Sequence, residues 1–466
     1  MSSHRVAGAP LDFAAVRSEL EVPGDFDAAA LADAERAAMT VELPDADATD
    51  IALVTIDPAG SRDLDQALHI ERDGSGYLVH YAIADVAAFV RPRSALDAAT
   101  HQRGETIYFP DLRVPLHPPV LSEGAASLLP DRIRPAVLWR IGLDATGEVC
   151  SVTLGRARVR SRRQFDYAGV QADLDAGRTE LPLTLLAEVG RLRLALARAR
   201  HAIDLDIPQQ EVEPNGTGWA LVARAPLPVE QYNAEVSLLT GMCAARIMLT
   251  GGIGILRTVP APNNGALARL RRVARALGVP WHHHSRPGDV LASLDRTDPT
   301  HVAFIEHAAA LLRGAAYVAF NGRVPAETMH AGIGAPYAHV TAPLRRLVDR
   351  FGTEVCVAVH AGTDVPPWVI DGFPALPTEM QHADQLAHAA DRAVVDATEA
   401  WLLRDRVGET FTAMVIDAEN SSGTVLLDRP AVRARCDGDA LPVGERIAVR
   451  LVSADVGART VRFARA

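Results

Sequence analysis

The feature that most limits the possible fold is a change in the hydrophobic pattern close to Gly408. Before this residue, runs of β-branched residues alternate with long stretches of helical spacing. After it, short apolar runs are separated by turn-forming residues at 420–423 and 437–438. The short runs predict strands at 411–416, 424–427, 432–436, 447–451 and 460–463. So many strands in so short a segment favour a closed barrel of the oligonucleotide-binding (OB) type over 408–466.

The rest of the chain divides into a small unit and a large one. Apolar residues at helical spacing predict two or three short helices in 1–48, similar to a helix-turn-helix. From 49 to 407, strands and helices are mixed without an internal repeat, which predicts one large mixed α/β domain. Its last helix is expected to begin near Thr378, a plausible N-cap, and to continue past Trp401. The predicted fold class is α+β with several domains.

Composition excludes several classes of protein. The 466 residues are 48% hydrophobic, which suits a globular chain with a large core, but no apolar run is long enough to span a membrane. The N-terminus also lacks the basic and then apolar order of a secretory signal, so we expect a cytoplasmic protein without membrane contact. The cysteines are far apart in sequence, form no CxxC pair and are expected to be reduced: Cys150, Cys243, Cys356 and Cys436.

Charge gives two further limits. All 47 basic residues are arginine, because the sequence contains no lysine, so Schiff-base and P-loop lysine chemistry are excluded. The formal net charge of −11 argues against a protein that coats nucleic acid, since phosphate binding depends on basic side chains. A channel for one strand remains compatible with this charge, because it needs positive potential only along its path.

An acidic segment follows a predicted hydrophobic strand at 55–66. Asp63 and Asp65 are two residues apart, so in extended chain their side chains project to one face, and Asp57 can meet them across the intervening turn. Converging carboxylates are the oxygen ligands that Mg²⁺ or Mn²⁺ requires, and such ions assist phosphodiester hydrolysis. On this pattern alone, the alternative to a metal site is a solvent-exposed acidic turn without a functional role.

The neighbouring sequence favours the metal site over the turn. The segment resembles the signature of the ribonuclease II family, in which four ordered aspartates hold Mg²⁺ over the scissile phosphate. Asp57, Asp63 and Asp65 match the first three positions, whereas Gln66 stands at the fourth. Further matching stretches extend the resemblance to the C-terminus at 81–86, 103–110, 121–128 and 337–346.

The resemblance implies roles for individual residues. Asp57, Asp63 and Asp65, with Gln66 beside them, would hold the metal, and Arg345 would stabilise the transition state. The alternative for Arg345 is a surface ion pair.

Further residues are expected to contact RNA. Tyr108 would stack on the 3′-terminal base, Tyr167 would close the floor of the pocket, and Glu235 and Asp391 would contact the terminal nucleotide. Arg346 is also assigned to RNA binding. The alternatives are ordinary packing for the two tyrosines and a helix-surface position for Glu235.

The resemblance implies a processive 3′→5′ exoribonuclease that hydrolyses single-stranded RNA to 5′-mononucleotides with Mg²⁺ or Mn²⁺, as a monomer without an obligate protein partner. Two other functions stay open. The first is a degenerate family member that binds RNA without cleaving it. It is suggested by Gln66 and by Leu205, near which the family has a second stacking aromatic. The second, a phosphoesterase for small substrates, would leave Tyr108 and the terminal barrel unexplained.

Overall fold

The protein is described here by a computed structural model that covers residues 11–205, 209–216, 218–296, 298–427 and 429–466. The first ten residues of the predicted helical region 1–48 lie outside the described residues. Within the described chain, no helix combines the length and the apolar character needed to cross a membrane.

The α-helices are α1 (Ala14–Glu19), α2 (Ala28–Thr40), α3 (Ala95–Arg103), α4 (Tyr167–Asp175), α5 (Leu181–Ala199), α6 (Pro228–Gly251), α7 (Asn264–Ala276), α8 (Pro287–Ala292), α9 (Pro299–Ala308), α10 (Leu347–Ala361), α11 (Pro367–Gly372) and α12 (Leu376–Leu403). Short 3₁₀ segments occur at Val86–Ala88, Ala309–Leu312 and Arg404–Arg406, and one π-helical turn at Leu121–Ala125.

The strands are β1 (Leu53–Asp57), β2 (Gln66–Asp73), β3 (Gly76–Ala84), β4 (Ile107–Tyr108), β5 (Arg113–Val114), β6 (Ile133–Leu143), β7 (Val149–Asp166), β8 (Gln209–Asn215), β9 (Gly218–Arg224), β10 (Ile253–Thr258), β11 (Ala316–Asn321), β12 (Met329–His330), β13 (Ala335–Pro336), β14 (Thr410–Glu419), β15 (Ser422–Leu427), β16 (Arg433–Asp437), β17 (Arg446–Asp455) and β18 (Thr460–Arg465).

A first closed barrel forms the centre of the α/β part. Its strands follow the order β1, β2, β3, β6 and β7, and all neighbours are antiparallel except β1 and β7, which pair in parallel and close the barrel. At this seam Asp57 lies opposite Asp166, the last residue of β7. The Asp166 side chain accepts a hydrogen bond from the Gly169 amide and thereby caps α4. The seam therefore fixes both the end of β1 and the start of α4.

The main apolar core joins this barrel to the helices around it. Trp139 on β6 is fully buried, and the same cluster includes Leu186 of α5, Leu239 of α6 and Phe351 of α10. Helices α5 and α6 pack on each other, and α10 packs on both α6 and β7. The ends of the barrel strands are thus held against rigid helices, which is the arrangement that positions the acidic segment.

The second closed barrel has the strand order β14, β15, β16, β18 and β17. All five predicted strands are present, and each observed end lies within four residues of the predicted one. The mixed α/β fold with a C-terminal five-stranded barrel is confirmed, whereas division of the chain at residues 48 and 407 stays a prediction. Helix α12 packs on β17 and β18, and also on α1 and α3, so it connects the barrel to the rest of the molecule.

Candidate active site

Asp57 ends β1 and lies at the seam of the first barrel. The preceding residues of the strand are buried, so Asp57 is the first side chain of β1 to reach the edge of the core. Its Oδ2 atom is buried and has no hydrogen-bond partner among the described residues. Burial, reinforced by the nearby negative charge of Asp63, raises the Asp57 pKa to about 7, although Arg345 acts in the opposite direction. This carboxylate therefore lies in a position where an added cation would be stabilising.

Asp63 is held by two residues of the short β4–β5 hairpin. Its Oδ1 accepts a hydrogen bond from Arg113 Nη1 at 2.6 Å, and its Oδ2 accepts one from the Tyr108 hydroxyl at 3.2 Å. Both carboxylate oxygens are thus engaged by protein donors. The Tyr108 ring remains half exposed, at 49%, so its face is accessible to a base while its hydroxyl contacts Asp63.

Asp65 connects the acidic segment to the segment that carries Arg345. Asp65 Oδ1 accepts a hydrogen bond from the Leu344 amide at 2.7 Å, and Asp65 Oδ2 lies 3.5 Å from Arg345 Nε. Burial raises the Asp65 pKa to about 8, although Arg345 and the Leu344 amide both lower it. The Arg345 side chain is 46% exposed, so its guanidinium can reach a bound phosphate while staying beside Asp65.

The segment at 341–346 is held rigidly. Asp349 accepts hydrogen bonds from the Ala342 amide at 2.6 Å and from Arg346 Nε and Nη2 at 2.9 Å each. Arg346 is therefore paired with a fully buried carboxylate. This geometry favours a structural role, in which Arg346 keeps the backbone of its neighbour Arg345 in place. RNA contact by Arg346 stays a prediction.

A close approach to α6 supports the same segment. A Cβ atom added to Gly241 would lie 2.1 Å from Tyr337 Cε2, so only glycine allows the two elements to approach this closely. The Gly241 carbonyl accepts a hydrogen bond from the Ala338 amide at 3.1 Å. Ser237, one turn earlier on α6, shares a hydrogen bond with the Thr341 hydroxyl at 2.7 Å.

Gln66 begins β2 and faces the same segment. Its side-chain nitrogen donates a hydrogen bond to the Thr341 carbonyl oxygen. The amide therefore joins β2 to the Arg345 segment, a contact that a carboxylate could not make because it has no hydrogen to donate. Gln66, at the fourth position of the predicted ligand set, is therefore already hydrogen-bonded within the protein.

The three aspartates do not form a ready three-ligand metal site. Within the described parts of the chain, no three His, Cys, Asp or Glu side chains are grouped closely enough to hold an ion together. Asp57 and Asp65 nevertheless fit a divalent cation: Asp57 has an unpartnered buried oxygen, and burial raises the pKa of both groups. Hard carboxylate oxygens are the donors that Mg²⁺ prefers.

Tyr167 is the first residue of α4. Its hydroxyl accepts a hydrogen bond from Asn233 Nδ2 at 3.1 Å, and Asn233 also approaches the Ile56 carbonyl at 3.5 Å. Burial raises the Tyr167 pKa, and so does the charge of Asp57, whereas Asn233 lowers it. Tyr167 is thus close to Asp57, and its predicted place at the floor of the pocket stays a prediction.

Glu235 and Asp391 are not joined to the three aspartates by any hydrogen bond or ion pair among the described residues. Glu235 is 5% exposed, and burial raises its pKa while the charges of Arg193 and Arg200 lower it. Asp391 lies on α12, where burial raises its pKa and His388 lowers it. Their predicted contacts with the terminal nucleotide stay predictions.

Leu205 lies near the position at which the resemblance implies a second stacking aromatic. This residue is partly buried and packs against the cluster formed by α7 and α9. The following residue, Asp206, lies outside the described residues.

Sequence reasoning missed Arg113 and Asp349, which hold Asp63 and Arg346. The spacing of Asp349 three residues after Arg346 is a helical ion-pair signal that could have been recognised. Arg113 could have been found from the Tyr108–Arg113 spacing around Pro110-Asp111, which suits a hairpin with both side chains on one face.

Two domain families match the chain: the RNB domain over residues 46–352 and the RNase II-type exonuclease C-terminal S1 domain over residues 409–466. The exosome complex exonuclease RRP44 homolog A of Arabidopsis thaliana is 30% identical over 363 residues, which are 72% of this chain and 36% of that protein. Ribonuclease R of Escherichia coli is 27% identical over 416 residues, which are 82% of this chain and 50% of that protein. The chain thus spans half or less of the length of these relatives.

The fold is also similar to a solved structure, the apo form of Mycoplasma genitalium RNase R. The two superpose with a TM-score of 0.85 over 97% of this chain and 77% of the other, at 19% sequence identity. At this identity the likeness concerns the fold alone.

Proposed function

The chain belongs to the RNB domain family, and on this basis we propose that it is an exoribonuclease that hydrolyses single-stranded RNA from the 3′ end. The observation that carries the proposal is the convergence of Asp57, Asp63, Asp65 and Arg345 beside the exposed ring of Tyr108. A carboxylate group with an adjacent half-exposed arginine suits phosphodiester chemistry, and an accessible aromatic face suits a terminal base.

In the proposed reaction, three residues have different roles. Tyr108 holds the terminal base, and Tyr167 limits how far the strand enters. Arg345 pairs with the last phosphodiester and offsets the negative charge that develops as water attacks phosphorus. The bond from phosphorus to the 3′ oxygen breaks, and that oxygen takes up a proton. The products are a nucleoside 5′-monophosphate and an RNA that is one nucleotide shorter with a free 3′ hydroxyl.

The acidic segment would hold a divalent cation. When bound, Mg²⁺ or Mn²⁺ would supply positive charge at the scissile phosphate and lower the pKa of the attacking water. The Leu344 amide keeps the Asp65 carboxylate in one orientation, and the 341–346 segment keeps Arg345 at the same point. Repeated cycles without release of the strand would make the reaction processive.

The test uses one RNA labelled at either end, incubated with Mg²⁺. We expect the 3′ label to be released as mononucleotide and the 5′ label to pass from full-length RNA to a short end product with few intermediates, as a processive reaction requires. Asp65→Asn should lower the rate on the order of a thousandfold, because a neutral amide binds the cation much more weakly than a carboxylate does. Asp45→Asn, a change of the same type at an exposed position, is the matched control and should leave the rate unchanged.

Equal rates for wild type and Asp65→Asn would contradict the proposal. Intact RNA with tight binding in the presence of Mg²⁺ would instead favour the degenerate alternative, which Gln66 motivates. We further propose that the protein acts in the cytoplasm and that it is a monomer. Sedimentation of the purified chain with and without RNA would test the monomeric state.

A further inference from the structure

The pairing of Arg113 with Asp63 changes how many cations the site can accept. We infer that Arg113 is a fixed cation of the site: it closes Asp63 to metal, so that one divalent ion binds at Asp57 and Asp65. This inference rests on the proposed metal-dependent function. It concerns ion binding alone, so it can be tested without RNA.

The hairpin geometry places two donors on one carboxylate. Tyr108 and Arg113 are directly opposite each other in the antiparallel pair of β4 and β5, so their side chains project to the same face. They meet the two oxygens of Asp63 at 3.2 Å and 2.6 Å. An ion at Asp63 would have to displace the shorter and charge-assisted of these hydrogen bonds.

Arg113 is itself fixed by a second carboxylate. Its Nη2 lies 3.2 Å from Glu123 Oε1 in the π-helical turn, and its side chain is only 34% exposed. Asp63 is more buried still, at 15%. A partly buried ion pair of this kind is less screened by salt than a surface pair. Arg113 therefore remains on Asp63 under ordinary ionic conditions.

The charges of the site agree with a single divalent ion. When ionised, the four carboxylates of Asp57, Asp63, Asp65 and Glu123 are opposed by Arg345 and Arg113, and Gln66 contributes no charge. These groups therefore leave two net negative charges, which one divalent ion balances. A second ion would bring a large excess of positive charge into a partly buried site, which is unfavourable.

The remaining two carboxylates differ from Asp63. Asp57 Oδ2 has no partner among the described residues, and Asp65 Oδ2 has only the longer contact of 3.5 Å with Arg345. These oxygens can turn to an ion without breaking a short hydrogen bond. Asp57 and Asp65 are therefore the ligands, and Asp63 is a positioning residue held by the hairpin.

Mn²⁺ binding measured by electron paramagnetic resonance, without RNA, tests the inference. We expect one Mn²⁺ per wild-type chain. Arg113→Gln should bind Mn²⁺ about tenfold more tightly or take up a second ion, because it removes a nearby positive charge. Arg113→Lys, which keeps that charge, should resemble wild type. Arg62→Gln is the matched control, since Arg62 contacts Glu123 at 3.8 Å and should leave binding unchanged.

The aspartate variants give an independent measurement. Asp63→Asn should bind Mn²⁺ within a few-fold of wild type, whereas Asp57→Asn and Asp65→Asn should bind about tenfold more weakly or worse. Thermal melting in chelator verifies that each variant is folded. Two ions per wild-type chain, absence of Mn²⁺ binding, unchanged affinity in Arg113→Gln, or an equal loss in Asp63→Asn and Asp57→Asn would each overturn the inference. Failure to degrade RNA would overturn the proposed function and leave this binding pattern standing.

Discussion

Arg345 and Arg346 are adjacent in sequence, but their guanidinium groups serve different parts of the molecule. Arg345 is half exposed and faces Asp65, while Arg346 is mostly buried and paired with both oxygens of Asp349. The difference follows from the backbone: Arg345 lies in a turn in which the Ala342 carbonyl accepts hydrogen bonds from the amides of Arg345 and Arg346, whereas Arg346 has an extended conformation directly before α10 and turns its side chain to Asp349. One arginine is therefore available to substrate and the other stabilises the fold.

Substitution of each arginine by glutamine should separate these roles. Arg345→Gln should lower kcat on the order of a hundredfold to a thousandfold with an unchanged melting temperature, since it removes a transition-state contact from a half-exposed site. Arg346→Gln should destabilise the protein by about 3–5 kcal/mol, because it leaves the buried Asp349 carboxylate without its ion pair. Steady-state kinetics and chemical denaturation measure the two effects. A large loss of stability in Arg345→Gln would contradict the division of roles.

At this scale the spacing of Asp57, Asp63 and Asp65 allowed their convergence to be proposed, whereas Tyr108 and Arg345 were proposed from the resemblance to the ribonuclease II family. The partners of these residues were not predicted, although the spacing of Tyr108 and Arg113 around a turn held a signal for one of them. Arg113 meets Asp63 only because a two-residue strand pairs it with Tyr108. The unpartnered oxygen of Asp57 depends on a seam formed by strands far apart in the chain.

Among the elements, those defined by local pattern were predicted well. The strands of the second barrel lie where the alternation placed them, and α12 begins at Leu376, two residues before the predicted N-cap Thr378. The reason for this shift is that Pro377 suits the first turn of the helix, so the helix starts before Thr378. The parallel pairing of β1 with β7 was not predicted, because no local signal records which distant strand a given strand will join.

The contact between α12 and the second barrel includes a buried carboxylate with a pH-dependent energy. Glu399 is 4% exposed and its Oε1 accepts hydrogen bonds from the Arg433 amide at 2.7 Å and Gln210 Nε2 at 2.9 Å. Burial raises its pKa from the ordinary 4.5 to about 7, although both hydrogen bonds lower it. The folded state thus retains a proton that the unfolded state has lost, so stability falls as pH rises between these two values.

Glu399→Gln keeps an acceptor oxygen and removes the titration. Relative to wild type, it should therefore gain on the order of 1–3 kcal/mol between about pH 5 and about pH 8. Denaturant unfolding at both pH values measures this gain. Glu419→Gln, at an exposed position on β14, is the control and should show no such change. A difference between Glu399→Gln and wild type that is independent of pH would contradict the assigned pKa.

For the whole molecule, α12 is the element that connects the second barrel to the α/β part. It contacts β17 and β18 of the second barrel, α1 near the N-terminus, and both α3 and β4 of the α/β part. An ion pair between Arg459 and Glu19 also joins the second barrel to α1. Such contacts favour unfolding as one cooperative unit.

Phe463→Ala tests this cooperativity. Phe463 is fully buried in the second barrel, where its ring packs against Phe411 at a centroid distance of 5.8 Å. We expect a loss of about 3–5 kcal/mol in unfolding free energy, because the substitution leaves a cavity. The denaturation curve should shift as a single transition. Val452→Ala, at an exposed position of the same barrel, should change stability by less than about 0.5 kcal/mol, and a separate early transition in Phe463→Ala would contradict cooperative unfolding.

The hydrogen bond between the Leu344 amide and Asp65 joins residues that are 279 positions apart in the chain. Contacts of such long sequence separation form late, because the entropy lost in closing the intervening loop must be offset by other structure first. A chain still emerging from the ribosome therefore carries Asp65 through the synthesis of 279 further residues before Leu344 is added. On the proposed function, it cannot attack the messenger that encodes it until Arg345 has been added and this contact has formed.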